Sequence, residues 1–223
     1  MAQQQADNVA RIVASKMMRT TAYHRPSPSL FFYPGLNSQP FHKASDFSFT
    51  KDFENNLKEV QDEYLKLNEA YGDKDDYEKQ DGEHTLNDGT WKWMNFIEKG
   101  ERTNQELFKE HCPITTQLLE QSIGPQLMTG TPFSYTFFST MSPGTSIAPH
   151  YGACNLKLRC HFPLFVPEEC FLRVAGDPRP WEEGKMIIFD DSYEHEAANL
   201  SKEKERVILL IDIWHPDLIQ AEV

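Results

Sequence analysis

Residues 206–213 read RVILLIDI, and the fold reading turns on them. Between Arg206 and Asp212 the run is unbroken apolar sequence. That pattern implies a strand buried on both faces, not one with a wet side. Working outward from it, four more short strand-like runs precede it: Phe133–Met141, Asn155–Leu164, Cys170–Val174 and Lys185–Asp190. Turn signals separate them at Pro143-Gly144, Pro167, Gly176-Asp177-Pro178 and Gly184. Many short strands punctuated by Gly and Pro imply a sandwich or a barrel. Before residue 131 the character is different. Phe53, Leu57, Val60, Tyr64, Leu67 and Tyr71 recur at helical spacing through Asp52–Tyr71. Asn104–Ile123 reads as a second helical stretch, interrupted near Pro113, and Trp91–Phe96 as a strand or extended segment. Asp73–Asp88, rich in Asp, Glu, Lys and Gly, reads as an exposed loop. The expectation is a mainly β fold with supporting N-terminal helices: residues 1–27 as a flexible arm and 28–223 as one domain.

Composition narrows the class. The 223 residues are 39% hydrophobic and 12% aromatic, enough for one domain with a core. With 22 Lys and Arg against 34 Asp and Glu, the net charge is −12. Nucleic-acid binding calls for a basic stripe, and anionic lipid for a basic patch, so neither partner is expected. No apolar run approaches the roughly 20 residues of a membrane span, and the first fifteen residues lack a secretory h-region. The expectation is no membrane anchor and a cytoplasmic protein with reduced thiols at Cys112, Cys154, Cys160 and Cys170.

The chemistry-bearing residues cluster in the β half. His150 follows Pro149, which stiffens its approach, and Gly152 lies two residues on. His195 sits in FDDSYEHE (Phe189–Glu196), among four acids. Taken alone, such a run reads as a solvated surface turn; beside a metal-binding histidine, acids can hold its second N–H. In Asn155–Leu164, alternation puts Lys157, Arg159 and His161 on one face and Leu158, Cys160, Phe162 and Leu164 on the other. Inside a barrel those cations need an anion, which a dicarboxylate ligand would supply. The competing reading turns this face to solvent, which suits Lys157 best. Arg206, at the start of a buried strand, suits a bidentate carboxylate.

MSPGTSIAPHYGACN (141–155), LRCHFP (158–163), WEEGKMIIFDDSYEHE (181–196) and RVILLIDIWHPDL (206–218), with FYPGL at 32–36, resemble the aspartyl/asparaginyl β-hydroxylase family in order and spacing. The resemblance spans about residues 28–218 and implies a double-stranded β-helix (jelly-roll, cupin-like) core. It implies Fe(II) held by His150 and His195, with 2-oxoglutarate as cosubstrate and O2 as oxidant. Arg206 and Ser139 match residues on the distal carboxylate of 2-oxoglutarate, Arg159 and His161 residues near its metal-side carboxylate, and Met141 a pocket wall. No further catalytic side chain is expected beyond the metal centre.

Most non-haem iron oxygenases add a carboxylate to two histidines, usually two residues after the first. Here that position is Gly152, in keeping with the resembled family, which completes its metal shell with water. A third ligand from Asp190, Asp191 or Glu194 is the alternative. The expected activity is hydroxylation of an unactivated C–H bond, with release of succinate and CO2. The substrate is a protein, peptide or amino-acid-like small molecule, and the oligomeric state is not legible. The rivals are a non-catalytic 2-oxoglutarate or metal sensor and a barrel that has lost its metal. Trp91, Trp93, Trp181 and Trp214 read as core.

Overall fold

A computed structural model describes residues 24–71 and 86–218. Most of the expected flexible arm and of the expected 73–88 loop lies outside those residues. Two antiparallel sheets carry the fold. The larger runs β1 (Phe41–His42), β10 (Ile187–Phe189), β7 (Lys157–Phe165), β12 (Arg206–Trp214), β5 (Thr136–Met141), β3 (Trp91–Glu98) and β4 (Glu101–Arg102), in that spatial order. The smaller runs β2 (Leu86–Asp88), β6 (Ser146–His150), β11 (His195–Asn199), β8 (Cys170–Val174) and β9 (Asp177–Arg179). This is the expected mainly β, jelly-roll architecture.

Alternation along the central strands builds two cores. On β12, Val207, Leu209, Ile211 and Ile213 face the helices, and Ile208 and Leu210 face the smaller sheet. On β7, Leu158, Cys160, Phe162 and Leu164 join the helix-side core. That leaves Lys157, Arg159 and His161 on the inner face, all three buried. The reading that turned Lys157 to solvent is therefore corrected: β7 is a central strand with no wet side.

The helical layer covers the back of the larger sheet. The stretch read as one helix from Asp52 is two, α1 (Phe49–Asn55) and α2 (Leu57–Tyr71). Asn56, at φ −111° and ψ 21°, leaves helical geometry between them. The inner stripe of α2 includes Val60, Glu63, Tyr64 and Leu67. Glu63 is buried because it caps a neighbour. Its carboxylate accepts the backbone N–H groups of Ile114 and Thr115 at 2.7 and 2.8 Å, at the start of α4 (Pro113–Gln117). A carboxylate there satisfies otherwise orphaned donors. The break expected near Pro113 separates α4 from α3 (Gln105–His111). All four cysteines are buried and free. Among the described residues, no helix is long and apolar enough to cross a membrane.

Candidate active site

His150 ends β6 and His195 begins β11, and the two are register partners across the smaller sheet. Two steps along β11, from His195 to Ala197, match three along β6, from His150 to Ile147. The resulting bulge accommodates Pro149, which has no N–H for the ladder, and re-aims His150. The ring centroids of His150 and His195 stand 4.1 Å apart. Each ring is oriented by a carbonyl two residues upstream: Nδ1 of His150 lies 2.8 Å from the Ala148 oxygen, and Nδ1 of His195 lies 2.9 Å from that of Tyr193. A carbonyl only accepts, so each Nδ1 carries the proton and each Nε2 the lone pair. Burial, then the His150 ring beside it, holds His195 well below the usual histidine range. Burial likewise lowers His150, which Arg159 depresses further. Two neutral imidazoles with paired Nε2 lone pairs are the donor set a divalent metal takes.

The acids beside the histidines are engaged elsewhere. A Cβ built on Gly152 would lie 2.6 Å from the Asp191 carboxyl carbon and from both its oxygens. The place of a side chain at 152 is thus already filled by Asp191. Lys157 Nζ at 3.3 Å and Arg159 Nη1 at 3.4 Å hold that carboxylate from the larger sheet. Asp190 accepts the Ser192 N–H at 2.9 Å, and burial pushes its carboxyl up to about 7. Glu194 accepts from Tyr151 Oη and pairs with Arg173. Among the described residues, no group of three or more His, Cys, Asp and Glu side chains is arranged to hold a metal. The DDSYEHE run, which resembles a solvated turn, is instead buried at Asp190, Asp191 and Ser192.

Facing the histidines, Ser139, Arg159, His161 and Arg206 of the larger sheet line the same narrow cavity. Arg159 does so with its charge already matched: Nε and Nη2 donate to the two oxygens of Asp212 at 2.8 and 2.9 Å. Burial alone would raise the Asp212 carboxyl, but Arg159 and Lys157 hold it below the usual range. Arg206 differs. It is 1% exposed, donates through Nη1 to Ser139 Oγ at 3.2 Å, and its Nε has no partner. Burial pulls it down to about 9, so it stays a cation at neutral pH. His161 Nε2 is also buried without a partner. Burial, then Arg206 and Arg159, holds His161 neutral, well below the usual range. Met141 is buried as the register partner of Arg206 and Trp91, but it is not among the cavity walls. A larger cavity of about 660 Å³, lined in part by His42, Trp214 and His215, lies elsewhere and gathers none of these groups.

The family model described as aspartyl/asparaginyl beta-hydroxylase matches residues 54–216. The chain belongs to that family. Within the β-hydroxylase family, the mouse aspartyl/asparaginyl beta-hydroxylase is 36% identical over 195 residues, which is 85% of this chain and 25% of that protein. The human protein of the same name is also 36% identical, over 85% of this chain and 24% of its own length. Mouse aspartate beta-hydroxylase domain-containing protein 2 is 31% identical over 87% of this chain and 56% of its length. The chain therefore spans about a quarter to about half of these relatives. Among solved structures, a Pseudomonas putida prolyl-4-hydroxylase aligns over 81% of this chain and 92% of its own at 12% identity, with a TM-score of 0.36.

Sequence reading of this β-hydroxylase family member missed three participants, Asp212, Trp91 and Trp181. Asp191, the alternative third ligand, is instead the carboxylate clamped by Lys157 and Arg159, and Asp212 carried no role in the sequence reading. Trp91 and Trp181 looked like plain core, and both are buried. Yet Trp91 Nε1 donates to Ser139 Oγ at 2.7 Å and Trp181 Nε1 to His161 Nδ1 at 3.3 Å. The available signal was that a buried indole N–H needs an acceptor.

Proposed function

We propose that this chain is an Fe(II)- and 2-oxoglutarate-dependent hydroxylase. Its target is an unactivated C–H bond, the β-carbon of an Asp or Asn residue or of a related amino-acid-like group. One observation carries the reading: two neutral histidines with matched tautomers share a cavity with a buried, partly unpartnered arginine. The donor set suits the group. His150 and His195 would bind the metal through Nε2. Arg206 and Ser139 would hold the distal carboxylate of 2-oxoglutarate, and His161, with the already neutralised Arg159 beside it, the metal-side carboxylate. When bound, Fe(II), 2-oxoglutarate and O2 together supply the oxidant for C–H hydroxylation, with succinate and CO2 as the other products. The chain's residues bind, orient and exclude water. The Ala148 and Tyr193 carbonyls fix both imidazole tautomers. The Asp191–Lys157–Arg159–Asp212 network leaves no uncompensated charge beneath them.

Succinate release from 2-oxoglutarate with Fe(II) and ascorbate tests the reading. Turnover is expected, and both His150→Ala and His195→Ala abolish it. Absent turnover with intact metal-dependent 2-oxoglutarate binding would replace the enzyme by a sensor. With two protein ligands, Mn(II) binding is expected to be weak alone and to tighten with 2-oxoglutarate; equal affinity in both titrations counts against the site.

A further inference from the structure

We infer that Trp91 and Trp181 are positioning residues that set the hydrogen-bond polarity of the cavity, each occupying an acceptor so that Ser139 and His161 present protons to a carboxylate. The inference rests on the proposed 2-oxoglutarate site and says how that site is made selective for an anion. An indole N–H only donates, and so does a guanidinium. Ser139 Oγ receives both, from Trp91 Nε1 at 2.7 Å and from Arg206 Nη1 at 3.2 Å. Two incoming donors use both lone pairs of a hydroxyl oxygen, and neither donor can take its proton. The Ser139 proton is therefore directed away from both, as a donor for a cavity ligand.

The same logic governs His161. A neutral imidazole carries one proton on two nitrogens. Trp181 Nε1 donates to Nδ1 at 3.3 Å, so Nδ1 holds the lone pair and Nε2 the proton. His161 Nε2 is buried with no partner in the protein. Trp181 is itself held in place, since the Arg206 guanidinium lies 5.0 Å from its ring centroid. Arg206 Nε, Ser139 Oγ–H and His161 Nε2–H then form three donors with no competing acceptor among them. A carboxylate satisfies such a set; a group that must itself donate does not.

The test pairs tautomer with affinity. In ¹⁵N NMR of the histidine rings, with His161 assigned by its loss in His161→Gln, the wild type is expected to show the Nε2–H form. Trp181→Phe should transfer part of the population to Nδ1–H. With Mn(II), Trp91→Phe and Trp181→Phe should each weaken 2-oxoglutarate about tenfold, the effect of one lost hydrogen bond. Mn(II) affinity without cosubstrate should stay put. Should a phenylalanine variant fail to fold, site-specific benzothienylalanine keeps the ring shape and removes only the N–H. A wild-type Nδ1–H tautomer, or undiminished 2-oxoglutarate affinity in the variants, overturns the inference. A wild type that binds no 2-oxoglutarate overturns the hydroxylase reading instead, and the tautomer measurement still judges the role of Trp181.

Discussion

The glycine at 152 is a steric requirement as much as an absent ligand. Asp191 is fully buried, clamped by Lys157 and Arg159, and its backbone oxygen accepts the Gly152 N–H at 2.7 Å. A methyl group 2.6 Å from its carboxyl atoms cannot be relieved by a swing into solvent. Gly152→Ala is expected to cost about 1–3 kcal/mol, as overpacking does, measurable by urea denaturation. A stability within error of the wild type would show that Asp191 can yield. One residue away, Asp190 gives a pH signature. Burial raises its folded pKa to about 7, above the unfolded value of 3.8. Its contribution is then fully present below pH 3.8 and is lost as pH rises through 7. Asp190→Asn keeps a neutral side chain and should melt higher than the wild type at pH 8, with the gap closing towards pH 4. A gap independent of pH would refute the assignment. At this scale the sequence was most legible for the histidines and arginines. It was least legible for the acids, because Asp191 owes its burial to Gly152 and Lys157, and nothing in a local acidic run reports distant partners.

Strands β7 and β12 explain how so much charge survives in an all-apolar setting. Asp212 interrupts RVILLIDI because its strand partner is Arg159, and it also accepts from Lys157 Nζ at 3.0 Å and from the Tyr135 N–H. Removing one member leaves buried cations uncompensated. Asp212→Asn should therefore cost about 3–5 kcal/mol in equilibrium unfolding. Arg102→Ala, which breaks the half-exposed pair with Glu120, should cost under about 1 kcal/mol. Equal costs would mean that the interior network carries no special weight. The apolar strands, β7 and β12 above all, were readable from their runs, and Cys170–Val174 falls on β8 residue for residue. The two histidine strands were not. Ser146–His150 carries a proline that only a bulge admits, and His195–Asn199 opens from an acidic turn.

For the molecule as a whole, the larger sheet is a wall with different work on each side: helix packing behind, charge and chemistry in front. Phe53 of α1 is fully buried, 5.2 Å from the Phe162 ring on the back of β7. The four thiols report on the same compactness, since burial pushes Cys112 up to about 12 and Cys154 and Cys170 to about 11. A disulfide-exchange reagent is expected to leave all four untouched in the native protein and to titrate four after denaturation. Any thiol reacting in the native state would reveal a local opening. The overall layering was legible because periodicity of 3.6 and of 2 divide the chain near residue 131. The pairing of strands far apart in sequence was not, since no local pattern encodes it.

That pairing has a consequence for the order in which the protein comes into being. In the larger sheet β12 is the keystone: without it, β1-β10-β7 and β5-β3-β4 are two separate three-stranded pieces. A chain emerging from the ribosome must therefore wait for residues 206–214 before the wall closes. Arg206 travels on that strand, so the proposed cosubstrate site and the sheet are completed together. A nascent chain stalled before β12 would present apolar edges to chaperones and have no competent site.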